Sequence, residues 1–362
     1  MYRSLIIALI VFVALSLIGL PDFLSARLGP TGSSMAGLRA TIPVQSRDIG
    51  VVRTAQSTPV IADSRLAQAT RTPAEAILST APTASPIPTP TTPPTPTPAA
   101  TATPARRPPV KVGSATVPSF GAREVIVVDD GSGAILFEQG AHRRVAPAST
   151  TKIVTAMVAL QRSVDWKEMV TARFNNAELI DSTLMGVRRG ERISLEDLLF
   201  GLMLPSGNDA ALAIATHVAG GRSEFAALMN DLTTRLGLAN SHFVNPHGLD
   251  EPNHYSSAYD MVQFARHGMR DDRFRQLSLA RRHTVRAGER VYEVFNLNRL
   301  LAQYEPADGV KIGYTEDAGR TIVASATVNG RRVFIGAFHS ADLVGDVRPL
   351  FDWVFHNHVW PD

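Results

Sequence analysis

The sequence predicts an α+β domain, an antiparallel sheet flanked by helices with a mainly helical subdomain, over residues 119–362. Three observations carry this. Paired strand patterns stand at both ends of that span, four or more helix patterns fill its middle, and the tight turns are of the kind that join antiparallel neighbours. Glu124 to Asp129 (EVIVVD) and Ala134 to Glu138 (AILFE) flank Asp130-Gly131-Ser132-Gly133 and read as a hairpin. Beyond Pro147, Ser149 to Gln161 is apolar on nearly every side except at Lys152, the pattern of a helix buried within a domain. Ser194 opens a helix with acids in its first turn, and Asn208 to Ala219 is an alanine-rich helix stopped by Gly220-Gly221. Ser223 to Leu236 ends at Gly237, while Ser257 to Met269 begins on the capping pattern Ser257-x-x-Asp260.

The last third changes period. His283 to Arg286 and Arg290 to Val294 predict a hairpin, and Gly309 to Tyr314 a strand. Thr321 to Val328 and Arg331 to Phe338 form a second hairpin across Asn329-Gly330. A helix from about Val347 to His356 closes the domain, so strands from both of its ends are expected in one sheet.

Residues 1–27 and 28–118 read differently. Arg3 precedes an uncharged apolar run from Leu5 to Leu20, closed by Pro21-Asp22, with a poor small-residue cleavage pattern. The run lies between a secretory signal core and a full membrane span, so both a signal anchor and a cleaved signal peptide stay open, the anchor being favoured. Either places the folded domain outside the cytoplasm. The stretch 28–118 has no sustained hydrophobic period, and Pro82 to Pro109 holds 11 prolines in 28 residues. Such a segment buries too little apolar surface to offset its chain entropy and is expected to be a disordered, polyproline-rich linker.

Charge divides along the same line. The chain has 36 Lys+Arg and 33 Asp+Glu; residues 1–110 hold 9 Arg and 4 acids, leaving 27 basic and 29 acidic residues in 111–362. With no basic excess in the folded part, nucleic acid is not an expected partner. There is no cysteine, which excludes thiolate nucleophiles, Cys-ligated zinc and disulfides. Only Lys111, Lys152, Lys167 and Lys311 are lysine. A desolvated lysine can act as a base where arginine cannot, so each lysine in so arginine-rich a chain calls for a reason.

Two of the four fall in motifs. Ser149-Thr150-Thr151-Lys152 sets a hydroxyl and an amine on one face of a helix, and a buried amine of lowered pKa can take the serine proton. Pro205-Ser206-Gly207-Asn208-Asp209 joins two helices, and Asp308-Gly309-Val310-Lys311-Ile312-Gly313-Tyr314-Thr315 puts the second lysine on a strand beside a glycine that admits close backbone approach. The order S-x-x-K, S-x-N, K-x-G is a specific constellation. Neither His242, His247 and His254 with Asp250, nor His356 with His358, has a recognised ligand spacing, so no metal site and no cofactor are expected.

On these residues, with Phe243-Val244-Asn245-Pro246-His247-Gly248-Leu249 and His254-Tyr255-Ser256-Ser257-Ala258-Tyr259-Asp260, the chain resembles the serine-type D-alanyl-D-alanine carboxypeptidases, the low-molecular-mass penicillin-binding proteins, over about residues 120–358. The resemblance implies a penicillin-binding protein/β-lactamase-like fold and peptidoglycan stem peptide as substrate, with β-lactams as covalent inhibitors. It makes Ser149 the nucleophile and Lys152 its base, with Ser206 and Asn208 relaying the leaving-group proton and holding the substrate amide. Lys311 would draw the substrate carboxylate, with Gly313 beside it, and the N–H groups of Ser149 and Tyr314 would form the oxyanion hole. The third motif departs from the usual Lys-Thr-Gly at Ile312; Thr315 is the expected partial replacement for the missing hydroxyl, and Arg348 the nearest arginine for the carboxylate. With the sequence ending at Asp362, the C-terminal β-domain and amphipathic anchor of several relatives are not expected, and membrane attachment is expected through the N-terminal segment. A β-lactamase of the same fold would need a deacylating Glu-x-x-Leu-Asn segment, which is not found; a catalytically weak wall- or penicillin-binding protein is the other alternative.

Overall fold

Every core strand of the main sheet alternates its side chains between two separate hydrophobic clusters, and this alternation organises the domain. The computed structural model describes residues 106–179 and 182–361; the expected N-terminal anchor and most of the expected linker lie outside them. Among the described residues, no helix is long and apolar enough to cross a membrane.

The chain enters through β1 (Val110–Lys111), β2 (Glu124–Asp129) and β3 (Ile135–Gln139), followed by a 3₁₀ turn at Ala148–Thr151 that runs into α1 (Lys152–Arg162). Short strands β4 (Met169–Thr171) and β5 (Arg192–Ser194) precede α2 (Leu195–Met203), α3 (Asn208–Ala219), α4 (Arg222–Arg235), α5 (Ala258–Gly268) and α6 (Asp272–Leu279). The return path holds the hairpin β6 (Arg282–Ala287) and β7 (Arg290–Phe295), α7 (Leu300–Gln303), and strands β8 (Ala307–Thr315), β9 (Gly319–Val328) and β10 (Arg331–Ser340). The chain closes with α8 (Leu343–Asn357) and β11 (His358–Val359).

The main sheet is antiparallel in the order β3-β2-β10-β9-β8, so strands from both ends of the domain meet at β2 and β10, as the sequence leads one to expect. Val125, Val127, Ile322, Ala324, Ile335 and Ala337 face α8, with Leu350, Phe351 and Val354. Ile126, Val128, Val323, Phe334 and Phe338 face α1 and α5. Asn329 and Gly330, both at positive φ, make the two-residue β9–β10 turn.

Local caps explain the helix starts. Ser194 Oγ accepts the Asp197 N–H at 3.0 Å, Ser257 Oγ the Asp260 N–H at 3.1 Å, and Gly220 ends α3 in the left-handed conformation at φ 83°. Three features were not read from the sequence. A second sheet of order β4-β5-β6-β7 joins the hairpin to two three-residue strands. Helix α6 is capped by Asp271. Residues of the stretch expected to be linker also belong to the fold: β1 pairs with β11, and Ala115 O accepts the Trp353 indole N–H at 3.2 Å.

Candidate active site

The site lies where the 3₁₀ turn and α1 meet β8 and the loop before α3. Ser149, partly exposed, sits in the turn, and Lys152 starts α1 one turn on, completely buried. Lys152 Nζ stands 3.0 Å from Ser149 Oγ, 2.7 Å from Asn208 Oδ1 and 2.7 Å from the His247 carbonyl oxygen. Burial holds the Lys152 pKa well below its ordinary value; the nearby charge of Lys311 adds to this and Asp209 opposes it. A neutral amine has two N–H bonds to give. Asn208 Oδ1 and His247 O take both, which leaves the nitrogen lone pair for the proton on Ser149 Oγ.

Ser206 precedes α3 in the left-handed conformation at φ 64°, and its hydroxyl is buried with no hydrogen-bond partner among the described residues. That conformation is costly for a non-glycine residue and survives only where its surroundings over-determine it. They do so through the loop that precedes β5. Thr183 Oγ1 donates to Ser206 O at 3.0 Å, and Thr183 O accepts the Asn208 N–H at 2.8 Å. Buried Asp209 accepts from the backbone N–H of Met185, Gly186 and Val187 at 2.9, 2.8 and 3.0 Å, clamping that loop to the start of α3.

On the opposite wall, Lys311 and Gly313 point from β8 towards α1. A Cβ on Gly313 would lie 2.7 Å from Ser149 N, so no side chain fits between strand and nucleophile. Lys311 is buried; its Nζ donates to Ile312 O at 3.0 Å, and desolvation lowers its pKa to about 7. Ile312 pairs with Ile322 and packs on the α8-side cluster, the face of the sheet turned away from Ser149. The missing threonine hydroxyl is therefore replaced by core packing.

Two sequence expectations meet a different geometry. The Thr315 hydroxyl is not free for a substrate, because it donates to Asp250 Oδ1 at 2.7 Å. Arg348 lies on α8, on the side of the sheet away from Ser149 and beside Tyr304. Tyr314 is exposed at the strand's end.

The segments carrying His247 and His254, on which the family resemblance already drew, are structural support for the site: Asn245 Oδ1 accepts the N–H groups of His247 and Gly248. Val244 N–H donates to His254 Nδ1 at 3.2 Å, so its Nε2 carries the proton facing Thr151 Oγ1 at 3.0 Å. Burial lowers the pKa of His254 to about 3 and of His247 to about 2, which keeps both rings neutral. Among the described residues no three acidic or histidine side chains are grouped to hold a metal ion.

A protein-family profile described as D-alanyl-D-alanine carboxypeptidase matches residues 111–340, spanning every element of this site. The chain belongs to that family. Among curated relatives, D-alanyl-D-alanine carboxypeptidase DacF of Bacillus subtilis is 30% identical over 244 residues, covering 66% of this chain and 63% of its own. D-alanyl-D-alanine carboxypeptidase DacB2 of Mycobacterium tuberculosis is 33% identical over 251 residues, 67% of this chain and 85% of its own. The chain thus spans a little under two thirds of DacF, and likewise of the Salmonella typhimurium DacD and Escherichia coli DacC relatives, at 63% and 62%. Among solved structures, the Streptomyces K15 DD-transpeptidase superposes with TM-score 0.63 at 28% identity, over 67% of this chain and all of its own. A penicillin-binding protein homologue of Mycobacterium tuberculosis, Rv2911, gives 0.63 at 32% identity, over 68% and 95%. The fold is accordingly that of the penicillin-binding serine DD-peptidases.

Proposed function

We propose that the protein is a serine D-alanyl-D-alanine carboxypeptidase that removes the terminal D-alanine from peptidoglycan stem peptides and is acylated by β-lactams. The observation that carries this reading is the buried Lys152 amine, 3.0 Å from Ser149 Oγ and hydrogen-bonded to Asn208 Oδ1 and His247 O. In the first step Ser149 Oγ attacks the carbonyl carbon of the D-Ala-D-Ala bond and its proton passes to Lys152 Nζ. The N–H groups of Ser149 and Tyr314 hold the developing oxyanion. The C–N bond then breaks, and the departing D-alanine amine takes the proton from Lys152 by way of Ser206 Oγ, the unpartnered hydroxyl. Asn208 orients Lys152 and the substrate amide. Water then attacks the ester carbonyl as Lys152 accepts its proton; the C–O bond to Ser149 breaks, Lys152 returns the proton to Ser149 Oγ, and the shortened peptide leaves.

On the substrate side, Lys311 supplies positive potential for the terminal carboxylate while protonated, and Gly313 lets the peptide-binding edge of β8 close on Ser149. The Thr315 hydroxyl serves the site by holding the end of β8. Residues 1–27 as a signal anchor or signal peptide, and residues 28 to about 109 as a Pro-rich tether, complete the reading: an enzyme held outside the cytoplasm, within reach of the wall. Hydropathy and composition support this part.

The full chain should be incubated with a D-Ala-D-Ala peptide and with a fluorescent penicillin. D-alanine release with slow drug turnover supports the proposal. Rapid drug hydrolysis points instead to a β-lactamase, and labelling without peptide turnover to a penicillin-binding protein of weak activity. Wild-type turnover by Ser149→Ala overturns the mechanism.

A further inference from the structure

The edge strand that faces the nucleophile is tied to the nucleophile's own platform by one carboxylate outside the three motifs. We propose that Asp250 is a positioning residue that fixes the active-site end of β8, through Thr315, in register with Ser149; the proposal rests on the acyl-transfer reading above.

Among the described residues β8 pairs with β9 alone, as the last strand of the sheet, and its final residue, Thr315, stands directly after Tyr314, whose N–H the mechanism uses. An edge strand held on one side frays at its end unless something else fastens it. Asp250 does so twice. Its Oδ1 accepts the Thr315 hydroxyl at 2.7 Å and its Oδ2 the Asp317 N–H at 3.2 Å, while Thr315 Oγ1 accepts the Ala318 N–H at 3.2 Å. One carboxylate thus holds the end of β8 and the turn that follows it.

The loop that presents Asp250 is itself bound to α1. Asn245 Oδ1 accepts the N–H groups of His247 and Gly248 at 3.2 and 2.7 Å, and its amide donates to Leu249 O and Glu251 Oε1, both at 2.9 Å. Pro246 O accepts the Thr155 hydroxyl at 2.6 Å, and His247 O accepts from Lys152. Gly248 lies so close beneath the nucleophile turn that a Cβ there would stand 1.9 Å from Ala148 O. Displacement of Ser149 and displacement of Tyr314 are therefore coupled through a continuous path: α1, the Asn245–Leu249 loop, Asp250, Thr315. This also explains why Thr315 has no hydroxyl to spare for a substrate carboxylate.

The test is a double-mutant cycle in the full chain with Asp250→Ala, Thr315→Val and the pair, read by D-alanine release and by the rate of penicillin acylation. Each single variant should lower kcat and the acylation rate about 30- to 100-fold with KM within about threefold, since a misplacement near 1 Å costs about 10²-fold. The pair should lose no more than the worse single variant, and Thr315→Ser should recover most of what Thr315→Val loses. Effects that multiply, or a Thr315→Val defect confined to KM and absent for a peptide ending in an amide, overturn the proposal by making Thr315 an independent carboxylate ligand. Amide hydrogen exchange over residues 313–318 reads the same clamp without turnover: Asp250→Ala should raise exchange there at least tenfold, and unchanged protection refutes it. A wild-type chain that neither releases D-alanine nor takes up penicillin would defeat the proposed function, while the exchange measurement still decides the role of Asp250.

Discussion

Gly313→Ala tests the contact on which the oxyanion site depends. A Cβ at this position would stand 2.7 Å from Ser149 N, 2.7 Å from Thr321 Oγ1 and 2.9 Å from Ala148 Cβ, where ordinary contact begins at 3.4 Å. Relief requires about 0.7 Å of separation. The nucleophile turn cannot supply it: Ala148 is held at φ 49°, and its carbonyl oxygen is pressed against Gly248. Strand β8, paired on one side only, is the element that yields. Moving outward, it carries the Tyr314 N–H away from the position an oxyanion would occupy. Loss of one such donor costs about 10²- to 10³-fold in kcat, or roughly 2.7–4 kcal/mol of transition-state stabilisation. Because an edge strand shifts more cheaply than a central one, the fold should lose only about 1–3 kcal/mol, or roughly 2–12 °C in Tm for a domain of this size. D-alanine release, penicillin acylation and thermal melting of the full chain measure the three quantities. A Gly313→Ala protein with kcat/KM within about threefold of wild type would refute the reasoning, because strand and nucleophile would then tolerate a side chain between them.

Other variants probe the remaining parts of the site. Lys152→Arg puts a group that stays protonated where a free amine is required, so acylation should fall about 10²- to 10⁴-fold in a protein that still folds; near-normal acylation would remove Lys152 as base. The two lysines also set opposing pH limbs. Raising pH deprotonates Lys152, whose pKa burial lowers and whose free amine is required, and discharges Lys311 as pH passes about 7. The kcat/KM of a peptide with a free terminal carboxylate should therefore pass through a maximum and then fall, and the alkaline limb should vanish in Lys311→Met; a limb that persists there belongs to another group. Gly248→Ala meets a backbone oxygen at 1.9 Å and a φ of +91°, which should lower Tm by about 10 °C or prevent folding; an unchanged melting curve contradicts the close approach. Asp209→Asn weakens the grip on the N–H groups of Met185 to Val187. It should cost about 1–3 kcal/mol in denaturant unfolding and slow peptide turnover through Ser206. Undiminished turnover would show that this loop does not set the Ser206 conformation.

Much of the fold was legible because its signals are local. The helix starts at Ser194 and Ser257 depend on a hydroxyl three residues before a free N–H, and the β9–β10 hairpin on an Asn-Gly pair that accepts positive φ. Elements that lack such signals were missed. Strands β4 and β5 hold three residues each, too few to establish a period of two, and exist because the β6–β7 hairpin offers them an edge. Helix α6 is polar along much of its length and is recognisable only by its Asp271 cap and by buried Phe274 and Leu277. Val110-Lys111 follow a proline run, and only pairing with His358-Val359 turns them into a strand.

The site divides in the same way. Ser149, Lys152, Ser206, Asn208, Lys311 and Gly313 could be singled out by residue type and spacing, since a lysine is rare in this chain and each motif lies within a few consecutive residues. What these residues can do was decided by contacts between segments far apart in sequence. The lowered pKa of Lys152 comes from complete burial and from the charge of Lys311, 159 positions along. The left-handed Ser206 depends on Thr183, and Ile312 is acceptable because its side chain turns to the α8 face. Thr315 shows the difference most plainly: the sequence presents a free hydroxyl next to the third motif, and tertiary structure gives that hydroxyl to Asp250. The amino-acid order alone determined the chemistry available and the helices and strands that carry it, because propensity, capping and periodicity act over a few residues. Desolvation, hydrogen-bond partnership and the face to which a side chain turns depend on what other segments bring alongside, and only the folded chain decides those.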